Sequence, residues 1–435
     1  MKEDIMEDLL KNEEKKEIPR EYVEMAYVKE TATGRGHNEF FIMENLKNGS
    51  MKITTGRVGI TIGRYKPTSQ IFPIEDWDNV YAAKIRKGYM PIKTKKMDKI
   101  EVTKRNGGVQ DGSFAEIPDA KTQAFVNELL AFAKHIFEQS YTVKVDDISD
   151  EMIALGEQTI KDLVAGQDHM SVAEFNNKLK LLYTAIPRRM DKLSLHLAKH
   201  KQDFAGILVD EQDLFDIMVS QVRENRMDHK DEKTILDANG IEMRPVTDEE
   251  EDYLKQILTG NAGKYIEAFK VCNHATEHDL EEFAKANDLT MENGIKYLFH
   301  GTKHENVWSI LTTGIKNRPP KDTVLTGKAY GYGSYFAPDA IKSLGYTSRV
   351  GAKWTSGGQS YGLLLVCKVA VGKDGTYYDG HLGLDSGLCW EKLKSIAPDA
   401  LCTWAESRYS GFMMDEVIVY QDCQDSVEYV IKVSA

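Results

Sequence analysis

From residue 122 to residue 230 the chain contains three glycines, Gly156, Gly166 and Gly206, out of 33 in the whole sequence. A stretch that avoids glycine for so long, with apolar residues recurring at three and four, reads as helix rather than strand and turn. Phe125, Leu129, Phe132, Ala133, Ile136 and Phe137 mark one buried stripe. Ser171-Val-Ala-Glu174 has the form of a capping box ahead of Leu179, Leu181 and Leu182. Leu193, Leu195 and Leu197, then Leu214, Phe215, Ile217 and Met218, supply further stripes. The middle of the chain is expected to be an all-α bundle with different structure on either side.

The flanks read as strands. Before the helices, Tyr27-Val28, Phe40 to Met43, Met51 to Thr54 and the segment from Val58 are short apolar runs separated by glycine turns, with a short helix over Glu75 to Lys87. Gly107-Gly108 and Asp111-Gly112 mark a linker. From about Thr247 strands return: Tyr297 to Phe299, Leu363 to Val369, Glu416 to Tyr420 and Tyr429 to Val433. A chain of 435 residues is too long for one core. The expectation is a multidomain α+β protein: a charged tail at 1–20, a small β-rich domain at 21–108, a helical bundle at 118–235 and a mixed α/β domain at 245–435.

Composition excludes several classes. Hydrophobic residues make up 41% and charged residues 29%, an ordinary globular mix. Apolar runs such as Leu363 to Val366 are too short to span a bilayer, so no membrane is expected. The N-terminus Met1-Lys-Glu-Asp-Ile-Met-Glu-Asp lacks the apolar core of a secretory signal. The five cysteines, at 272, 367, 389, 402 and 423, are odd in number and widely spaced, which argues against a zinc ribbon and a disulfide scaffold and for an intracellular compartment. The formal net charge is −12, yet residues 51–110 hold 13 Lys/Arg against 5 Asp/Glu, a local balance of +8. Such a segment is either a solvated lysine-rich surface or a contact for phosphate backbones.

Three segments of the last third carry chemistry. They are Leu298-Phe-His300-Gly301-Thr302, Gly331-Tyr-Gly333-Ser-Tyr335-Phe-Ala followed by Lys342-Ser343 and Tyr346, and Asp415-Glu416-Val-Ile-Val-Tyr420. Each alone is weak, because a strand-end histidine or a loop tyrosine is more often structural. In this order and spacing they resemble the poly(ADP-ribose) polymerase catalytic domain. The family's His-Tyr-Glu triad falls on His300, Tyr335 and Glu416.

The resemblance implies NAD as ADP-ribose donor, with no metal. Its glycosidic bond joins ribose to a cationic pyridinium that leaves neutral, so no general acid is needed and one carboxylate suffices where a glycoside hydrolase uses two. The resemblance assigns Glu416 to the developing oxocarbenium charge and to the acceptor hydroxyl. Gly301, Ser343 and Tyr346 would hold the nicotinamide, with Tyr335 on its other side. His300 would bond the adenosine ribose, with Thr302 and Asn306 as further polar contacts and Lys342 beside the catalytic carboxylate. The family's arginine after Gly314-Ile315 is Lys316 here, which keeps the charge for a phosphate without the fork. The family's donor loop falls on Pro319 to Gly327, and an acceptor-side stretch from Leu384 to Gly411 is rich in tryptophan and acidic residues.

Upstream, residues 122–230 look like the regulatory helical domain of the DNA-dependent family members, and Ile186-Pro-Arg-Arg-Met-Asp-Lys-Leu-Ser is similar to the family's connecting segment. Residues 22–105 look like a WGR domain, matched at Thr54-Thr55-Gly56-Arg57-Val58-Gly59 and Ala83 to Tyr89. Thr55 stands where the family has tryptophan, leaving Arg57 and the +8 balance for DNA phosphates. The reading is an NAD-dependent protein ADP-ribosyltransferase that builds chains, modifies acceptor proteins including itself and responds to DNA breaks. It would work in the nucleus of a eukaryote or the cytoplasm of a bacterium. A mono-ADP-ribosyltransferase and a catalytically silent DNA-end-binding protein are the alternatives.

Overall fold

The computed structural model describes residues 20–30, 36–57, 66–92, 114–190, 192–227, 233–317, 330–331, 333–353, 355, 357–379, 387–410 and 412–435. The expected charged tail except Arg20, the strand expected from Val58, the linker glycines Gly107, Gly108 and Gly112, the donor loop at 319–327, Tyr332 and residues 384–386 lie outside these residues. Two compact units are present. One comprises Met1–Gly108, Ser140–Thr159 and Asn176–Ala198, and the other Val109–Gln139, Ile160–Phe175 and Lys199–Ala435.

The first unit holds β1 (Tyr22–Glu30), β2 (Gly36–Asn45), β3 (Ser50–Arg57), β4 (Thr68–Pro73) and β5 (Met90–Ile92) in one antiparallel sheet of order β4-β3-β2-β1-β5. Its core follows from period two. Val23 and Met25, Phe41 and Met43, and Met51 and Ile53 point to one face. Helix α1 (Trp77–Arg86) covers that face with Trp77, Tyr81 and Ile85, a stripe spaced every four residues. The helix expected over Glu75 to Lys87 is present, its entry wound as a 3-10 turn at Ile74–Asp76. Within this unit Arg188, buried, lies over the ring of Tyr141 at 4.8 Å and bonds its hydroxyl at 3.3 Å. The leucines at 193, 195 and 197 form no helix stripe. Leu193–Leu195 is a single 3-10 turn, and its alternate spacing buries Leu193 while Leu195 is 71% exposed.

The other helices in chain order are α2 (Ala120–Ser140), α3 (Asp150–Gly166), α4 (Val172–Ala185), α5 (Phe204–Arg226), α6 (Ile235–Asn239), α7 (Asp248–Ile257), α8 (His274–Ala286), α9 (His304–Thr313), α10 (Ala340–Leu344), α11 (Trp390–Ile396) and α12 (Ser407–Ser410). The capping box ahead of α4 is formed: Ser171 N–H donates to Glu174 at 2.8 Å and Glu174 N–H to Ser171 Oγ at 3.3 Å. The boundary between the compact units cuts across residues 118–235, so the helices of that range are shared out rather than gathered in one unit. Among the described residues no helix is long and apolar enough to cross a membrane.

The second unit is mixed α/β. Its strands are β6 (Ile241–Pro245), β7 (Tyr265–Asn273), β8 (Ile295–Gly301), β9 (Ser334–Phe336), β10 (Tyr361–Ala370), β11 (Cys402–Ala405), β12 (Glu416–Val419) and β13 (Asp425–Ser434). They form two antiparallel sheets, β6-β7-β13-β10-β8 and β11-β12-β9. Strand β10 lies between β13 and β8 and is buried on both faces, which explains its unbroken apolar run. Leu363, Leu365, Cys367 and Val369 enter one core with Phe125 and Leu129 of α2 and Trp308 of α9. Leu364 and Val366 enter the opposite core with Leu254 of α7 and Leu344 of α10. Phe125 stacks on Phe269 of β7, ring centroids 4.3 Å apart. The two sheets meet where Phe299 and Ala337 exchange backbone hydrogen bonds of 2.8 and 2.9 Å.

Candidate active site

The junction of the sheets assembles the chemistry. Phe299 precedes His300 at the end of β8, and Ala337 follows β9, which carries Tyr335. The register pairs Val417 with Phe336 and Ile418 with Tyr335, so Glu416 falls opposite Ala337. Helix α10 follows β9 closely and brings Lys342 and Ser343, with Tyr346 just beyond it. His300, Gly301, Tyr335, Lys342, Ser343, Tyr346 and Glu416 all line one cavity of about 390 Å³, and so do Thr302, Asn306 and Lys316. Every sequence-predicted donor-site residue is therefore at this cavity. Arg57, the residue expected at DNA, belongs to the first unit, at the end of β3 opposite Glu39.

Each side chain is held by a local reason. His300 Nδ1 lies 2.9 Å from the carbonyl oxygen of Tyr335. A carbonyl only accepts, so Nδ1 carries a proton. Tyr335 Oη accepts from Tyr330 N–H at 3.1 Å and donates to the Gly331 carbonyl at 2.9 Å. Burial raises its pKa, so its hydroxyl stays protonated and pins that turn while the ring borders the cavity. Ser343 Oγ donates to the Phe299 carbonyl at 2.9 Å, which leaves its lone pairs to accept. Gly301 is required by packing: a Cβ there would lie 1.7 Å from the Ser343 carbonyl oxygen.

Glu416 and Lys342 form an ion pair of 2.5 Å with side chains only 9% and 11% exposed. Burial pushes the Glu416 carboxyl above the usual carboxylate range, and the bond and charge of Lys342 pull it back. Its neighbour Asp415 accepts from Ser407 N–H and Oγ, each at 2.9 Å, and from Trp404 Nε1 at 3.3 Å, fixing the entry into β12. Burial and the nearby Glu416 push the Tyr346 hydroxyl up to about 12. Lys316 pairs with Asp422 at 3.6 Å.

One wall was missed from the sequence. Leu208, Val209, Gln212, Asp213, Asp216 and Ile217 of α5 line the same cavity. Asn306 Nδ2 donates to Asp213 at 3.1 Å, and Lys303 pairs with Asp210 at 3.4 Å and Asp213 at 3.6 Å. The signal was Asp210, Asp213 and Asp216 recurring at three beside the apolar stripe, a carboxylate face on one helix.

Glu416 is buried and lysine-paired in a cavity it shares with Tyr335 and Tyr346, a setting suited to stabilising a cationic sugar-like centre, while Asp213 and Asp216 line the same cavity from α5. Comparison with known proteins agrees with that class. Residues 250–435 match the family model of the poly(ADP-ribose) polymerase catalytic domain. The chain is 28% identical over 166 residues to a "putative poly [ADP-ribose] polymerase-like 100L" of Invertebrate iridescent virus 6, covering 38% of this chain and 86% of that one. It is 24% identical over 198 residues to an uncharacterized protein, 101L, of the same virus, covering 45% of this chain and 80% of that one. It is 31% identical over 136 residues to "poly [ADP-ribose] polymerase 2-A" of Oryza sativa subsp. japonica, covering 29% of this chain and 19% of the rice protein. These matches locate the likeness to poly(ADP-ribose) polymerases in residues 250–435, the segment that carries His300, Tyr335, Lys342, Ser343 and Glu416.

Proposed function

We propose that this protein is an NAD-dependent protein ADP-ribosyltransferase that builds poly(ADP-ribose) chains on acceptor proteins, itself included, and is stimulated by DNA breaks. The observation that carries the reading is the buried Glu416–Lys342 pair in a cavity shared with His300 and Tyr335. As the bond from ribose to nicotinamide breaks, the leaving group becomes neutral and positive charge moves to the ribose. Glu416 answers that charge more strongly in the transition state than in the ground state. Ser343 accepts from the nicotinamide amide N–H, and the rings of Tyr335 and Tyr346 flank the pyridinium. Asn306 and Thr302 on α9 and its approach, with His300, take the adenosine ribose, and Lys316 takes phosphate. A carboxylate at 416 also orients the hydroxyl of an incoming ribose, which favours chain growth over a single transfer. Arg57 and the basic segment 51–110 contact DNA phosphates.

The test is incubation with labelled NAD, with and without nicked DNA, resolved on a gel. A DNA-dependent ladder is expected. A single discrete band would replace this reading with mono-ADP-ribosylation, and no label at all would sink enzymatic transfer. Glu416→Gln, which keeps shape and removes charge, is expected to bind NAD with little change yet lose the ladder, with kcat reduced by roughly 10²–10³. Ladders of unchanged length from this variant would show that the carboxylate is not the catalytic group.

A further inference from the structure

Two lysines line the donor cavity in the described structure, and they are not equivalent. Lys342 is committed to Glu416 at 2.5 Å, both side chains nearly buried. Lys316 is held loosely, 3.6 Å from Asp422, with 36% and 45% of the two side chains exposed. Lys316 is thus the cation that an anionic part of a ligand can recruit. Its present partner is built into the site: Asp422 Oδ1 accepts the backbone N–H of Asn317 at 2.6 Å, so its carboxylate is fixed beside the residue that follows Lys316. Asn317 is fixed in turn by Ser334 Oγ, which donates to its side-chain oxygen at 2.7 Å, and Ser334 lines the cavity. A second carboxyl, Asp425, is 1% exposed with neither oxygen hydrogen-bonded. Burial, with the charge of Asp422 adding, pushes the Asp425 pKa up, and Lys316 opposes the rise, while the ion pair with Lys316 is made by Asp422.

We infer that Asp422 is a specificity-determining residue for the donor: its carboxylate is the counter-anion that Lys316 gives up when the pyrophosphate of NAD enters, so Asp422 limits how tightly an anionic donor is held. The inference rests on the reading of the cavity as an NAD site. A lysine, unlike an arginine, presents a compact point charge with no fork to hold two anions at once, so carboxylate and pyrophosphate compete for it.

The test separates the anionic and the neutral halves of the donor with two probes on the full chain. ADP-ribose carries the pyrophosphate and lacks nicotinamide; benzamide carries the amide and lacks phosphate. Asp422→Asn keeps the acceptor for Asn317 N–H and removes the charge. By titration calorimetry it is expected to tighten ADP-ribose about two- to fivefold, the range open to a partly exposed pair, and to lower KM for NAD by a similar factor. The Kd for benzamide and kcat should stay as in the parent. In a Lys316→Met background the benefit to ADP-ribose should shrink markedly, because the competed cation is gone. An unchanged Kd for ADP-ribose in Asp422→Asn would overturn the inference. So would a shift of benzamide equal to that of ADP-ribose, or full retention of the effect in Lys316→Met. If the parent protein binds neither probe, the NAD reading of the cavity falls, and this inference with it; if it binds both and only the Asp422 effect is missing, the inference alone falls.

Discussion

At the scale of single residues, the proposed role of Glu416 can be tested through its pairing with Lys342. Burial raises the Glu416 pKa and Lys342 opposes the rise. In the proposed mechanism the working form is the carboxylate, so activity is expected above that pKa and should be lost as pH falls through it. Replacing Lys342 by Met removes the opposing charge and lets the pKa climb further. The acid limb of the kcat/KM profile should then move to higher pH, while Lys342→Arg, which keeps the charge, should move it less. A profile unchanged in Lys342→Met would mean that Glu416 does not titrate in the rate. The triad residues were legible from sequence because each sits in a short motif with unusual neighbours. Asp213 was not. A carboxylate on a helix face is ordinarily solvated, and only the packing of α5 beside α9 brings it to Asn306.

At the scale of elements, α7 is anchored by its first turn. Thr247 caps the helix, and Glu250 returns a bond to Thr247 N–H at 2.9 Å. Arg244 on β6 grips Glu250 with two bonds of 2.7 and 2.8 Å. That Arg244 bond is the main reason the Glu250 pKa falls from 4.5 to about 2, with the Thr247 N–H and Lys270 adding to it against burial. A depressed pKa contributes stability that is fully present above 4.5 and is lost as pH falls through about 2. Glu250→Gln is expected to cost about 1 kcal/mol near neutral pH, the size of a lost cap and a partly exposed pair. The deficit should narrow on acidification below pH 4.5, where the parent begins to lose the same term. Denaturant melts at neutral and acid pH measure this, and a gap that widens toward acid would refute it. The stripe of α2 was readable from its period and parts of β2, β3, β10 and β13 from their apolar runs, whereas β7, nine residues long, was not read as a strand. Strands β5, β9 and β11, of three, three and four residues, were not, because a strand that short is defined by its partner's hydrogen bonds and not by alternation. Phe132 and Ile136 belong to the predicted stripe of α2 but are only partly buried, while Phe125, Leu129, Ala133 and Phe137 form its sealed side.

At the scale of the whole molecule, the proposed regulation has a physical handle within the second unit. Asp210 and Asp213 of α5 hold Lys303 and Asn306 at the approach to and start of α9, beside the donor cavity. Asn306 is one of the groups proposed to bind the donor, so α5 competes for it. A ligand such as DNA raises activity only if it binds the state with α5 loosened more tightly. Asp210→Asn with Asp213→Asn should therefore raise DNA-free activity a few-fold and shrink the further stimulation by DNA. Unchanged basal activity in a variant with the parent's melting behaviour would show that these contacts impose no restraint. Removing residues 122–230 outright is a harsher test, because Phe125 and Leu129 fill the same core as β7 and β10 and their loss would expose it.

The sequence by itself determined the helices of the middle, the apolar runs of β2, β3, β10 and β13, and the residue types of the candidate site, because period and motif are local properties of the chain. The tertiary structure alone decided that His300, Tyr335, Ser343 and Glu416 share one cavity, through the Phe299–Ala337 junction and the β9–β12 register. It also decided that residues 118–235 are divided between two compact units, that Gly301 is held to glycine by the Ser343 carbonyl, and that Lys316 answers to Asp422. These are contacts between residues far apart in the chain, fixed by how the sheets and helices exclude water and satisfy one another's backbone, and no local pattern encodes them.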